Sequence, residues 1–193
     1  MRISAGRYKG RALRCPSEDI RPVTAKMRES IFSMLYSRYG SLEGLRFLDV
    51  FCGSAVMSVE AASRGAAYVE AVDRDPRKKK ILRENLGILD IPWKLFIADA
   101  QSYLQRISVN SPAFDIIYFD PPFKMEGKAA LLESLRAALL RADSLVMIHL
   151  PKNEADEADE AGSLPPKLAN GLSLESCRSY GATSSLCLFS LGG

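Results

Sequence analysis

One stretch constrains the chain more than any other: Asp115-Ile116-Ile117-Tyr118-Phe119-Asp120-Pro121-Pro122-Phe123. Its first part is apolar and β-prone, and it reads as a buried strand bounded by Pro112 and by the proline pair. Pro121 and Pro122 have no N–H and a fixed φ, so the chain leaves the sheet as a stiff rod. Asp120 and Phe123 are thereby held at the C-terminal end of the strand, where open α/β sheets place their ligands. A carboxylate, an exposed backbone carbonyl and a ring face form a receptor for a flat group bearing an amine. The same residues also describe a strand running into a Pro-Pro turn with a solvated Asp, and the rest of the chain has to decide between the two.

Upstream, the pattern alternates. Leu45 to Phe51 reads as a strand, Cys52-Gly53-Ser54 as a tight turn, and Ala55 to Arg64 as a helix stopped by Gly65. Tyr68 to Val72 is a second strand ending at Asp73. Asp75 caps a helix that has Pro76 at its first position and runs to Leu86. Its Lys78-Lys79-Lys80 run reads as a solvated face. Trp93 to Ala98 is a third strand, ending at Asp99, and a short helix follows from Ala100 to Ile107. After the Asp-Pro-Pro-Phe corner, Lys128 to Leu140 reads as a helix and Ser144 to Leu150 as a buried strand. The runs Leu172–Tyr180 and Ser184–Ser190 read as an antiparallel hairpin at the sheet edge. Strands alternating with helices and closed by a hairpin predict an α/β, doubly wound, mostly parallel sheet.

The N-terminal 40 residues differ in charge. They hold nine Lys/Arg and three Asp/Glu, a net of +6, so the other 153 residues carry −3. Residues 1–22 suggest a small basic hairpin. Thr24 then caps a helix whose apolar face is Met27, Ile31, Met34 and Leu35. Lys26 and Arg28 lie off that face, where phosphate, a carboxylate or solvent could meet them. We divide the chain into a basic extension, 1–40, and a main domain, 41–193. A basic arm on a mildly acidic body points to a polyanionic partner, and nucleic acid is the usual one.

Several classes are excluded. No apolar run approaches the ~20 residues that span a bilayer, and cationic residues interrupt any signal-peptide core at the N-terminus. Cys15, Cys52, Cys177 and Cys187 lack C-x-x-C spacing and read as reduced cytosolic thiols. With His149 the sole histidine, a His-rich metal site cannot be built, and no metal is expected. The acidic stretch 154–160 reads as a solvated loop or frayed helix.

Asp73, Asp99 and Asp120 end three strands, and Asp49 precedes the first turn. In a parallel sheet these ends share one rim. Carboxylates gathered there suit hydroxyls, amines or cations: a ribose at Asp73, an adenine amine at Asp99, a methionine-like ammonium near Asp49. Mg²⁺ with phosphates stays open as an alternative, although Cys52-Gly53-Ser54-Ala55 lacks the lysine of a phosphate-binding P-loop.

With these residues in place the chain resembles the class I methyltransferases that use S-adenosylmethionine, and within them the RsmD-type 16S rRNA guanine-N2 methyltransferases. The resemblance rests on Met1-Arg2-Ile3, Gly6 and Lys9-Gly10-Arg11, on Arg21-Pro22, Thr24 and Arg28-Glu29, and on Phe47 through Ser54. It continues through Glu60-Ala61, Ser63-Arg64-Gly65-Ala66, Asp73, Asp99-Ala100, Asp120-Pro121-Pro122-Phe123 and Tyr180-Gly181. It implies a Rossmann-like fold in a cytoplasmic protein, with a monomer favoured and no membrane. Phe51, Cys52, Gly53 and Ser54 would wrap the methionine part of the cofactor, with Asp49 beside it. Asp73 would hold the ribose, and Asp99 with the Ala100 N–H would read the adenine. Asp120 and the Pro121 carbonyl would accept hydrogen bonds from a guanine N2 amine, Pro122 would stiffen the corner and Phe123 would stack on the base. Arg2, Arg7, Lys9, Arg11, Arg14, Arg21 and Arg28 would hold phosphates of 16S rRNA or of an assembling small subunit.

Two departures from the family pattern stand out. The first turn usually reads Gly-Ser-Gly-Ala-Leu-Gly; here Ala55 takes the second glycine's place, and at positive φ its methyl costs roughly 1 kcal/mol or more. His149 stands where the family usually has Glu, and it reads as a satisfied strand-end histidine rather than a catalytic one. Two alternatives differ in function: an amino-group methyltransferase acting on DNA adenine or protein glutamine, and a non-catalytic RNA-binding relative.

Overall fold

The computed structural model describes residues 1–16, 23–108, 111–153 and 164–192. Its seven strands form one mixed sheet in the order β3-β2-β1-β4-β5-β7-β6, where β1 is Arg46–Val50, β2 Tyr68–Asp73, β3 Trp93–Ile97, β4 Phe114–Phe119, β5 Leu140–Pro151, β6 Leu172–Tyr180 and β7 Ser184–Leu191. With helices joining the parallel strands, this is the α/β, Rossmann-like arrangement expected. The chain falls into two compact units, Met1–Ala98 and Asp99–Gly193.

In the first unit β1, β2 and β3 are parallel, with Val50 beside Val72 and Asp73 beside Ile97. Apolar runs without alternation bury β1 and β2 almost throughout. β3 alternates because it is an edge strand, with Lys94 and Phe96 facing out. Helix α1 (Ala25–Tyr39) opens at Thr24, whose side chain accepts from the Met27 N–H at 3.2 Å, and ends at Gly40 with φ +71°. It buries Met27, Ile31, Phe32 and Leu35, while Met34 is only half-buried. Helix α2 (Val56–Ser63) joins β1 to β2. A 3-10 turn at Pro76–Lys78, capped by Asp75, leads into α3 (Lys79–Leu86).

The basic hairpin is present: Arg2 bridges Ala12, and the Ile3 N–H donates to the Arg11 carbonyl at 3.0 Å. It packs on the C-terminal end of α2. The Arg7 N–H donates to the Ser63 carbonyl at 2.7 Å, and the Ser63 hydroxyl donates to the Ala5 carbonyl at 2.6 Å. Gly6 makes this approach possible; with φ +80°, a β-carbon there would stand 1.8 Å from the Ser63 carbonyl oxygen.

In the second unit, α4 (Ala100–Arg106) precedes β4, which pairs in parallel with β5. β5 pairs antiparallel with β7, and β7 with β6. The closing hairpin is therefore where the sequence places it. The helix after the Asp-Pro-Pro-Phe corner is shorter than expected: α5 covers only Lys128–Glu133. Asn170 Nδ2 takes the Leu132 and Leu135 carbonyls at 2.8 and 3.0 Å, and the Ser134 hydroxyl turns back onto the Leu131 carbonyl at 2.6 Å. A 3-10 turn at Ala137–Leu139 follows, and β5 starts at Leu140. A register shift lies between the Phe114–Leu140 and Ile116–Leu145 pairs. Ser144 closes it by donating to the Phe114 carbonyl at 2.6 Å. Strand pairing here overrides the helix propensity of the Ala-Leu-Leu run.

The reading of four reduced thiols is corrected. Cys177 and Cys187 face each other across the β6–β7 ladder with Cα atoms 4.1 Å apart, and they form a disulfide. Cys15, which is exposed, and Cys52, which is buried, are not part of this disulfide. The acidic stretch 154–160 lies outside the described residues, as does Arg21. Among the described residues no helix is long and apolar enough to cross a membrane.

Candidate active site

The turn between β1 and α2 is built on three left-handed residues: Phe51 at φ +66°, Gly53 at +59° and Ala55 at +60°. The Cys52 N–H still reaches the Val72 carbonyl at 2.9 Å, and the Ala55 N–H closes onto the Cys52 carbonyl at 2.6 Å. Ala55 is the N-cap of α2 and has no side-chain oxygen to offer. Asp49 supplies one from below: its Oδ2 accepts from the Ser58 N–H at 3.0 Å and from the Ser58 hydroxyl at 2.7 Å. At 1% exposure this carboxylate anchors the helix start directly beneath the turn.

Cys52 and Ser54 are buried, while Phe51 and Gly53 are half-exposed, so the turn offers backbone rather than side chains. Burial pushes the Cys52 thiol well above its ordinary pKa, and the negative charges of Asp49 and Asp73 add to this. Ser54 is held from both sides, its carbonyl accepting from Asn85 Nδ2 at 2.9 Å and its hydroxyl facing the Met1 sulfur at 3.4 Å.

Asp73 ends β2 as a hub of donors. Gly53 N–H reaches its Oδ2 at 3.0 Å, Asp75 N–H its Oδ1 at 3.0 Å, and Lys78 Nζ sits 2.9 Å from Oδ2 and 3.2 Å from Oδ1. Lys78 is thus no part of a solvated face, although Lys79 and Lys80 are exposed. A carboxylate that gathers donors beside a left-handed backbone turn suits two vicinal hydroxyls, with the long Lys78 side chain the partner most able to give way. These residues fit a ribose-bearing cofactor.

In the second unit, Asp99 is exposed and caps α4, its Oδ1 accepting from the Ser102 N–H at 3.0 Å. Ala100 is the buried first residue of that helix. At the end of β4, Pro121 is buried, Pro122 exposed and Phe123 half-buried. Lys128, only 5% exposed, donates from Nζ to the Phe123 carbonyl at 3.0 Å and to the Met125 carbonyl at 2.5 Å. The Met125 N–H closes on the Pro122 carbonyl at 2.8 Å. The Asp-Pro-Pro-Phe corner is therefore braced from within. Asp120 Oδ1 stands 2.8 Å from Nδ1 of His149, a residue only 4% exposed, and the His149 and Phe123 rings meet edge to face at 5.3 Å. His149 is not the fully satisfied histidine expected: its Nε2 has no partner among the described residues.

On the arm, Arg2, Lys9 and Arg11 are exposed, Arg7 pairs with Asp90, and Arg14 pairs with Glu84 on α3. Arg28 is corrected. It is 4% exposed, with Nε 3.1 Å from Glu60 Oε1 and its terminal nitrogens donating to the Val23 and Arg2 carbonyls at 2.8 and 3.0 Å, so it cannot reach phosphate. Arg64 bonds the other Glu60 oxygen. The sequence reading missed Glu60, Arg64, Lys78 and Lys128 as supports. Of these, only the four-residue spacing of Glu60 and Arg64 was a usable signal. Among the described residues no group of three or more His, Cys, Asp or Glu side chains is arranged to hold a metal.

The family model described as "Conserved hypothetical protein 95" matches residues 1–167. The "Putative rRNA methyltransferase YlbH" of Bacillus subtilis is 31% identical over 166 residues, spanning 81% of this chain and 89% of that protein. The "Ribosomal RNA small subunit methyltransferase D" of Escherichia coli K12 is 31% identical over 126 residues, which is 64% of this chain and 61% of that protein. The solved structure of a hypothetical protein from Thermus thermophilus aligns with a TM-score of 0.78 at 28% identity, covering 97% of this chain and 98% of that one. The solved structure of the "Putative methyltransferase yhhF" from Escherichia coli aligns with a TM-score of 0.75 at 25% identity, covering 99% of this chain and 97% of that one. The chain belongs to this family of RsmD-type methyltransferases.

Proposed function

We propose that the protein transfers a methyl group from S-adenosylmethionine to the exocyclic N2 amine of a guanine in 16S rRNA. The observation that carries the reading is the braced corner, where the Asp120 carboxylate sits on a backbone tied down by Lys128 and Met125. The cofactor supplies a methyl group on a sulfonium, which leaves as a neutral thioether. Phe51 to Ser54 receive its methionine part through backbone groups, Asp73 its ribose, and Asp99 with Ala100 its adenine.

The N2 lone pair of guanine is delocalised into the base, so the amine is a weak nucleophile. Asp120 and the Pro121 carbonyl accept hydrogen bonds from it, orient the nitrogen and stabilise the positive charge that grows as the new bond forms; the methylated nitrogen then sheds its surplus proton to solvent. The Pro122 carbonyl is engaged by Met125, which leaves this task to Pro121. Phe123 stacks on the base. In-line positioning supplies most of the remaining acceleration, and the base enters unpaired or extruded from its helix. Arg2, Arg7, Lys9 and Arg11 hold the phosphates, and Arg21 is assigned with them on charge alone. Arg28 acts from beneath as a support. The substrate is naked 16S rRNA or an assembling small subunit, a cytoplasmic target.

Radiolabelled S-adenosylmethionine with 16S rRNA or small-subunit particles tests this. Label on a guanine N2, nearly abolished by Asp120→Ala, is expected. Label on DNA or on protein glutamine instead, unchanged after deletion of residues 1–20, would favour another acceptor.

A further inference from the structure

His149 is the sole histidine of the chain, and it sits on β5 one residue past the Phe119–Ile148 pair, beside Asp120. Its two ring nitrogens have opposite surroundings. Nδ1 faces Asp120 Oδ1 at 2.8 Å, and Nε2 is buried with no partner among the described residues. An ionised carboxylate can only accept, so the proton between the two belongs to Nδ1. With Nδ1 protonated, Nε2 buries only an unpaired lone pair. A proton on Nε2 would instead bury an unpaired donor, the costlier arrangement.

The consequence falls on Asp120. The terminal torsion of an aspartate is soft and two-fold, so an unheld carboxylate presents either oxygen at a range of angles. A directed donor on Oδ1 removes that freedom and leaves Oδ2 for another ligand. The same imidazole meets the Phe123 ring edge to face at 5.3 Å and 75°. One buried ring thus touches both the acceptor carboxylate and the stacking aromatic.

We propose that His149 is a positioning residue for the methyl acceptor: its Nδ1–H pins Asp120 through Oδ1 so that Oδ2 receives the amine, and its T-shaped contact with Phe123 sets the plane of that ring. The proposal rests on the reading that Asp120 receives the acceptor amine.

Two experiments test it, one of them independent of activity. Because the chain has a single histidine, ¹⁵N spectra of the imidazole contain one ring. A protonated Nδ1 and an unprotonated Nε2 are expected in the wild type near neutral pH, with that tautomer preference lost in Asp120→Ala. A wild-type ring protonated at Nε2 alone would overturn the proposal even if the enzyme is active. In steady-state methyl transfer to 16S rRNA, His149→Phe keeps the ring and its packing on Phe123 but removes the donor. Its kcat should fall roughly ten-fold to a hundred-fold, as for loss of a hydrogen bond to a charged group. KM for RNA and Kd for the cofactor should stay within about two-fold. His149→Asn, whose amide can still donate to Asp120, should recover most of that loss. An unchanged kcat in His149→Phe would overturn the proposal, as would equal losses of kcat in both variants that track their thermal stability. If the wild type transfers no methyl to rRNA, the proposed function fails, and the tautomer spectra still decide whether His149 pins Asp120.

Discussion

Arg28 Nε and Glu60 Oε1 stand 3.1 Å apart in the first unit, with side chains 5% and 0% exposed. Arg64 bonds the second carboxylate oxygen, and the Ser4 N–H and hydroxyl reach Oε1 at 2.8 and 3.0 Å. Taking three charges out of water is costly, and only a fully bonded arrangement offsets it. Here the carboxylate is surrounded by donors from three segments: the hairpin, α1 and α2. The cluster therefore joins the basic hairpin to the body of its unit.

Glu60→Ala removes the centre of this cluster and leaves two buried guanidinium groups unbalanced. A loss of about 3–5 kcal/mol is expected, measured by urea unfolding. The hairpin should loosen with it, which limited proteolysis by trypsin would read as earlier cleavage at Arg7 to Arg14. Unchanged stability would mean that the cluster contributes no net energy.

Ala55 holds φ +60° with a methyl group that favours negative φ. The left-handed conformation costs an L-residue about 1–2 kcal/mol, partly offset by the smaller entropy loss of alanine relative to glycine on folding. Ala55→Gly is expected to raise stability by about 0.5–1 kcal/mol, seen as a higher denaturant midpoint at constant slope. A lower midpoint would show that the buried methyl contributes more through packing than it costs in strain.

The thiols separate by chemistry. With Cys177 and Cys187 joined, the denatured unreduced protein should titrate two thiols, and four after reduction. In the native protein an alkylating reagent should label exposed Cys15. Burial and the charges of Asp49 and Asp73 keep the Cys52 thiol protonated above the usual thiol range, so it should remain unlabelled at pH 7 to 8. Peptide mass mapping before and after unfolding checks both statements. Rapid native labelling of Cys52 would contradict its burial.

What the sequence made legible follows from the range of each interaction. The alternation of strands and helices, the Thr24 cap, the closing hairpin and the strain at Ala55 are local, and each was readable. The disulfide was missed because the cysteines were judged by motif spacing, although Cys177 and Cys187 lie about equally far from the turn between Tyr180 and Ser184. Arg28 was misjudged because a charged side chain on a basic arm looks exposed until its partner is known, and Glu60 lies 32 residues away. The early end of α5 depends on Asn170, 35 residues beyond Leu135, and no local pattern announces it.

Lys78 occupies the acceptor positions on Asp73 that the proposed ribose hydroxyls need. The ion pair is largely buried, with side chains 19% and 6% exposed, and breaking it opposes cofactor binding. Lys78→Met keeps the aliphatic stem and removes the competing ammonium. Where displacement of Lys78 is the main cost, calorimetry should show S-adenosylmethionine binding several-fold tighter than wild type. Asp73→Ala should bind weakly whether or not Lys78 is present. Because the Gly53 and Asp75 amides also hold Asp73, the carboxylate keeps its orientation without the lysine, and the comparison isolates the ammonium. Weaker binding by Lys78→Met would reverse the assignment, making Lys78 a group that helps Asp73 hold the cofactor rather than one that yields to it.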